Sequence, residues 1–302
     1  MDDSYKLGIY VYKSKIDFEK YNKLPQELNI SKKSPICLLL ELVMGNIFVL
    51  SHDNKILYRG KDDYTKLPIN KKDNNVYNQF KTVLGINDFE DETVQICNKF
   101  FKRERKNAFV YQHVLNEITQ FLVCNKKTPC EGFLHLYRAL EFMGYSFPLI
   151  YATQSRNFKG SYDSLRKFFR EENKNISELE FFRNFLKLLY SDSEFEYNYK
   201  FEACIYSNNF NELKMEFLKC INSNHFNFED QILQIEFKYM GNILADLRNK
   251  YFHMSIGQKQ NNFYSMGYDK NDLFNAINPI FANWLICVFV KIIQNGIMEY
   301  SV

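Results

Sequence analysis

Three residues near the C-terminal end of the sequence have the types and spacing for phosphodiester chemistry. Arg248, Asn249 and His253 lie within FKYMGNILADLRNKYFHM, residues 237–254. Asn249 and His253 are four apart, so on a continuous helix they share a face. Arg248 points to the neighbouring side, and its long stem can bring the guanidinium round to the imidazole. Cleavage of RNA needs a base for the 2′-hydroxyl, a cation for the charge gathering on the phosphoryl oxygens and an acid for the leaving 5′-oxygen. Histidine titrates near neutrality and suits the base or the acid. Arginine offers a permanently charged planar fork that matches phosphate oxygens. One histidine does not readily fill both proton-transfer roles, whereas two copies facing each other across a two-fold axis would. Spacing alone also admits a plainer reading, with Arg248 an end-of-helix cation and His253 a packed or capping residue.

The elements that must hold such a group are mainly helical. The chain has 302 residues, 46% of them hydrophobic, which is enough apolar material for a sizeable core. Phe and Tyr are abundant at 29 and 21, while Gly and Pro are sparse at 11 and 6, a balance that favours helices over a turn-rich sandwich. The formal net charge of +3 permits a local nucleic-acid patch and excludes a strongly basic coating protein. Seven scattered Cys without a CxxC point to free thiols rather than a disulfide framework or structural zinc, and no metal or cofactor is expected. The N-terminal MDDSYKLGIYVYKSK has acidic residues where a secretory leader has basic ones. The apolar run 281–290 falls short of a bilayer span and reads as a core or interface helix. A cytoplasmic protein without a membrane segment is expected.

Residues 1–88 carry the β signals. Leu7–Tyr12, Pro35–Leu42, Ile47–Leu50 and Lys55–Tyr58 read as strands of a small antiparallel sheet, with His52 in a surface turn. Residues 68–75 read as a loop, and Gly85 with the acidic cluster after it marks the passage to the helical part. Residues 89–302 read as helices. Lys102, Arg103, Arg105 and Lys106 fall in the densest basic run, KFFKRERK, which is either an RNA-contacting stripe or a solvated helix face. Thr128, Pro129 and Glu131 form a capping box that opens a helix expected to stop near Pro148. That helix carries His135, Arg138 and Glu141; the last two are an i,i+3 pair that either forms an ion pair or serves a substrate. His225 lies in a polar connector and reads as exposed. The helix bearing Arg248 is expected to start at Phe228, and a last apolar helix over 272–294 is expected to begin afresh at Pro279.

Arg248-Asn249-Lys250-Tyr251-Phe252-His253 resembles the R-x4-6-H motif of the ribonuclease members of the HEPN superfamily, with four intervening residues and a polar residue directly after the Arg. The amphipathic segment before it, the loop after it and the apolar terminal helix fit that pattern over about 228–302. The YRALE segment resembles the partner helix of such bundles. With the strand signals of the N-terminal part, which the resemblance does not explain, an α+β chain is expected: a β-rich N-terminal domain at 1–88 and, by the resemblance, a large all-α HEPN-like bundle at 89–302. It implies a metal-independent endoribonuclease of antiviral, abortive-infection or toxin–antitoxin defence, acting as a homodimer on RNA, with an antitoxin or other defence protein as a further partner. By the same resemblance His253 would be the base or acid, Arg248 the phosphate clamp and Asn249 an assistant, with Glu141 joining from an earlier helix beside Arg138. Some members of the superfamily are non-catalytic nucleic-acid- or protein-binding subunits, and this is the alternative function.

Overall fold

The computed structural model describes residues 4–69, 71–154, 158–168, 178–191, 194–208, 210–221, 223–252 and 270–301. It is an α+β fold. In chain order the elements are β1 (Ser4–Leu7), β2 (Tyr10–Ser14), α1 (Pro35–Val43), β3 (Ile47–Leu50), β4 (Ile56–Tyr58), α2 (Val76–Leu84), α3 (Asp91–Glu104), α4 (Ala108–Cys124) and α5 (Pro129–Gln154). There follow α6 (Phe158–Phe168), α7 (Glu178–Leu189), α8 (Glu194–Tyr197), β5 (Lys200–Cys204), α9 (Phe210–Cys220), β6 (Phe226–Glu229), β7 (Ile232–Glu236), α10 (Met240–Phe252) and α11 (Lys270–Ser301).

The N-terminal sheet is four-stranded and antiparallel, in the order β1-β2-β3-β4. The expected strand Leu7–Tyr12 is two strands, because Gly8, at φ +57°, adopts the left-handed conformation that closes the β1–β2 turn. Pro35–Leu42 is a helix and not a strand. Every residue of α1 is buried, so its apolar run has no polar stripe to betray a helical period. Pro35 sits at the start of the helix, where its missing N–H costs nothing. The inner face of the sheet packs on α4, and the hydroxyls of Tyr12 and Thr119 hydrogen-bond there at 3.0 Å.

One hydrophobic core runs from Tyr10 to Ile297 and joins the sheet to the helices. Its spine is α11, which packs along α5 and against α2 and α3. This helix is long and apolar enough to cross a bilayer, yet 78% of its most apolar window is buried inside the protein, as in a core helix. The apolar stretch is continuous through Pro279, and α5 is continuous through Pro148, so neither proline breaks its helix. Amide side chains hold both places. Asn278 donates to Asn125 Oδ1 at 2.7 Å and to the Pro129 carbonyl at 2.8 Å. Beyond Pro148, Gln154 donates to the Ile292 carbonyl at 3.2 Å and accepts from Asn295 at 2.9 Å. Tertiary packing and these bonds outweigh the local loss of one backbone hydrogen bond at each proline.

Residues 200–236 contain a second antiparallel sheet, in the order β5-β7-β6, in a stretch read from sequence as helical. Phe228 lies in β6 and does not start the helix that bears Arg248. In FNFEDQILQIE the apolar side chains alternate, and Asp230, at φ 54°, turns the chain between β6 and β7. Leu233 and Ile235 are fully buried while their neighbours face outward. His225, expected to be exposed, is half-buried and stacks on Tyr239 with centroids 4.6 Å apart. Burial pushes its imidazole pKa down, an effect opposed by nearby Asp246 and reinforced by Arg183.

Two features of this frame are open to test. Buried Asn283 of α11 donates to the carbonyls of Tyr64 at 2.7 Å and Lys66 at 3.1 Å, fixing the segment after β4. Asn283→Ala leaves those acceptors unsatisfied and is expected to cost about 1–3 kcal/mol in urea unfolding; a loss within error of zero would show that the bonds are dispensable. Lys15 donates to the Gly45 carbonyl at 3.1 Å and the Gly60 carbonyl at 2.5 Å, and Lys72 donates to Gly45 at 3.0 Å. Burial, with the charge of Lys72, lowers the Lys15 pKa from 10.5 to about 8. The unfolded chain therefore holds more protons between these values, and stability rises with pH from about 8 towards 10. Melting temperatures across that window are expected to climb less in Lys15→Met than in the wild type.

Candidate functional site

Arg248 is positioned by the packing of α10. Met240, Gly241, Ile243, Leu244, Leu247 and Tyr251 are buried and seat this helix in the core. Phe252, at its end, stacks on Phe133 of α5 with centroids 5.6 Å apart and an interplanar angle of 13°. Arg248 is left half-buried beside α5, and Asn249 is exposed. The guanidinium lies over the Tyr137 ring, 5.2 Å from its centroid, and donates from Nη1 to Asn249 Oδ1 at 3.1 Å. Among the described residues no carboxylate pairs with it. The ring orients the guanidinium without neutralising it, which leaves the fork free for an anion. His253 lies outside the described residues.

On α5, Arg138 directly follows Tyr137 and Glu141 lies one helical turn beyond it. Both are exposed, and neither forms an ion pair with the other or with any described residue. The expected intrahelical pair is therefore not made. Glu141 is four residues after Tyr137 on α5, makes no ion pair with Arg248, and faces a groove shared with α4. A groove of about 600 Å³ runs between α4 and α5, lined by His113, Glu117, Arg138, Glu141, Phe142, Tyr145 and Ser146.

His113 and Glu117 are the residues of this groove that the sequence reading did not single out. They are spaced i,i+4 on α4, a pattern that would have placed them on one face. His113 stacks on Phe142 at 4.5 Å, and Glu117 Oε2 sits 2.7 Å from His135 Nδ1. The carboxylate fixes the orientation of the His135 ring, which is otherwise well covered. Large apolar side chains flank the groove in solvent: Phe109 is 69% exposed, Tyr145 45% and Leu149 51%.

The basic run of α3 divides by role. Arg105 pairs with Glu27 at 2.5 Å, and Glu27 is buried, so this cation fixes the turn before α1 to α3. Arg103 donates to the Tyr300 hydroxyl at 3.1 Å and to the Thr153 carbonyl, with its guanidinium 5.3 Å from the Tyr300 ring. Both arginines hold parts of the fold together. Lys99, Lys102 and Lys106 are exposed and are the members of the run open to a phosphate. Among the described residues no three His, Cys, Asp or Glu side chains form a group that could hold a metal ion.

Comparison with protein-family models, with curated proteins and with solved structures returned no match. The chemistry of the site therefore stands on its own residues. At the C-terminal end of α10 the arrangement is a half-buried arginine on an aromatic ring with a polar amide beside it. If Arg248 is free of a structural ion pair, its removal costs little stability. Arg248→Ala is expected to lose under about 1 kcal/mol in urea unfolding, the size of one exposed cation–π contact; a loss of several kcal/mol would make it a structural residue.

Proposed function

We propose that this protein is a metal-independent endoribonuclease with a HEPN-like helical bundle, acting as a homodimer in prokaryotic defence under the control of a partner protein. The observation that carries this reading is the Arg248 guanidinium, propped on Tyr137 with no carboxylate partner among the described residues, five positions before His253 in the sequence. In the reaction, a neutral His253 imidazole takes the proton of the 2′-hydroxyl. The O2′–P bond forms, Arg248 holds the phosphoryl oxygens as charge gathers there, and the P–O5′ bond breaks. The departing O5′ takes a proton from the imidazolium of His253 in the second copy. The products are a 2′,3′-cyclic phosphate and a 5′-hydroxyl, so the atoms balance without a metal or added reductant.

The second copy has a suitable place to sit. Arg138 and Glu141 are exposed without ion-pair partners on α5, among the uncovered Phe109, Tyr145 and Leu149. Two such ridges meeting across a two-fold axis set Arg138 of each copy against Glu141 of the other and cover the apolar side chains. The contact would place both α5 helices, each with Tyr137 and Arg248 alongside, at one seam.

The test is cleavage of a mixed-sequence RNA in the presence of EDTA, with end-group analysis of the products. His253→Ala and Arg248→Ala are each expected to lower the rate about 10²–10⁴-fold while the protein stays folded. Cleavage by purified His253→Ala at the wild-type rate would rule out the catalytic assignment and leave a non-catalytic binding subunit as the reading. For the seam, Arg138→Glu and Glu141→Arg should each shift sedimentation towards monomer, and the double variant should restore the dimer. A dimer unmoved by either single change would refute this interface.

A further inference from the structure

The four-stranded sheet has an outer face that no described element covers. Strand alternation sends Tyr12, Ile47 and Val49 inward to the core and leaves Ser4, Lys6, Val11, Lys13, Phe48 and Leu50 on the outer side. These residues, with Ile56 of β4 and with His52 and Asn54 of the β3–β4 turn, line a groove of about 630 Å³. None of the lining residues is acidic. The carboxylate on the turn, Asp53, accepts from the Ser51 hydroxyl and does not line the groove.

The placing of the cations follows from register. Lys13 is directly opposite Phe48, and Lys6 is opposite Val11, the neighbour of Leu50. Lys6 and Lys13 are thus diagonal neighbours, about 7–8 Å apart across the β1–β2 pair. Lys15 brings a further ammonium to within 4.8 Å of the Phe48 centroid. His52 Nε2 donates to the Gly8 carbonyl at 3.0 Å, which ties the β3–β4 turn to the β1–β2 turn and holds the imidazole at the end of the groove. The face therefore has a central apolar and aromatic floor, made by Phe48, Leu50 and Ile56 over the buried Val11, with cations around it and no anion among its lining residues.

We propose that this face binds single-stranded RNA, with a base on Phe48 and backbone phosphates at Lys6 and Lys13. A single strand offers unstacked bases for an aromatic floor together with a line of negative charge, and the face complements both. A duplex hides its base faces and would meet the cations alone. An acidic peptide would satisfy the cations but bring no ring to stack. The proposal rests on the endoribonuclease reading for its choice of RNA, and it gives the N-terminal sheet the task of holding substrate away from the cleavage site.

The experiment measures binding with cleavage switched off. Fluorescence anisotropy of a labelled single-stranded RNA is followed on His253→Ala protein, against a duplex of the same sequence and an acidic peptide. The same measurement is then made with Lys6→Glu/Lys13→Glu and with Phe48→Ala added, and folding is checked by circular dichroism. The double charge reversal is expected to weaken single-strand binding at least ten-fold. It should also flatten the plot of log affinity against log salt by about 1.4, the loss of two single-strand phosphate contacts. Phe48→Ala is expected to weaken binding about ten-fold with the salt slope unchanged. Equal or tighter binding of the duplex or the peptide, unchanged single-strand affinity in both variants, or no binding by the parent protein would overturn the proposal. Cleavage by wild-type protein that survives these results would leave the nuclease reading standing. Binding that follows the expected pattern without any cleavage would do the reverse.

Discussion

The structure depends on burying one long apolar helix away from water. The 32 residues of α11 carry too much hydrocarbon to stand alone in water, and α2, α3, α5, α7 and α10 are laid against it. The helix has little freedom to slide, because its polar side chains are spent on neighbours. Asn278 bonds the α4–α5 turn, Asn283 the segment after β4, Gln294 the end of α2 and Asn295 the Gln154 amide. An amide buried among apolar groups is costly unless bonded, so each of these contacts fixes a register. Apolar burial supplies the stabilisation, and the amides select one arrangement among the many an oily helix would accept.

The candidate site inherits its geometry from that arrangement. The end of α10 is held by stacking of Phe252 on Phe133 and packing of both rings near Phe274, which belongs to α11. Tyr137 is four residues beyond Phe133, so it lies one turn along the same side of α5. The ring that fixes the helix end and the ring that props Arg248 are thus successive rungs on one helix face. A shift of α5 would move both together, so the distance between Arg248 and the helix that carries Glu141 is a property of the core. Arg248 spends one donor on Asn249 and meets no carboxylate among the described residues, whereas Arg105 is paired with Glu27 and Arg103 is tied to Tyr300 and the Thr153 carbonyl.

The same contrast shows what the sequence could and could not disclose. The strands 47–50 and 56–58, the helices from 91 to 124 and the helical character around Arg248 follow from periodicity, though the Arg248 helix begins at Met240 and not at Phe228. Thr128 donates its hydroxyl to the Cys124 carbonyl and, at 2.8 Å, to the Glu131 carboxylate, a side-chain contact in place of the expected capping-box bond to a backbone N–H. The misread segments share a physical cause: their conformation is chosen by remote contacts. Pro35–Val43 is buried on all sides, so no polar stripe marks its period. Pro148 and Pro279 lie inside helices whose own amides reach across the core, Asn278 to the Pro129 carbonyl and Gln154 to the Ile292 carbonyl, contacts that local sequence does not reveal. The alternation in 226–236 was legible and was lost to the stronger helical signal that follows it. For the site, Arg248 and the Arg138–Glu141 ridge were visible as residue types with a spacing. The Tyr137 prop was not, since it joins residues more than a hundred positions apart.

That Arg138 and Glu141 remain apart is itself informative. Their i,i+3 spacing allows a bond, and an exposed pair gains only a few tenths of a kcal/mol from making one. The balance is easily tipped by a partner that offers better geometry. A two-fold contact doubles each favourable pairing, because every residue at the seam appears twice. It also removes Phe109, Tyr145 and Leu149 from water, and this apolar term is larger than the ionic one. The ionic pair would then set the direction of approach and reject a parallel alignment that brings like charges together. In the proposed dimer, the hydrophobic side chains would supply affinity for the second copy, and the two unpaired charges would determine which way round it docks.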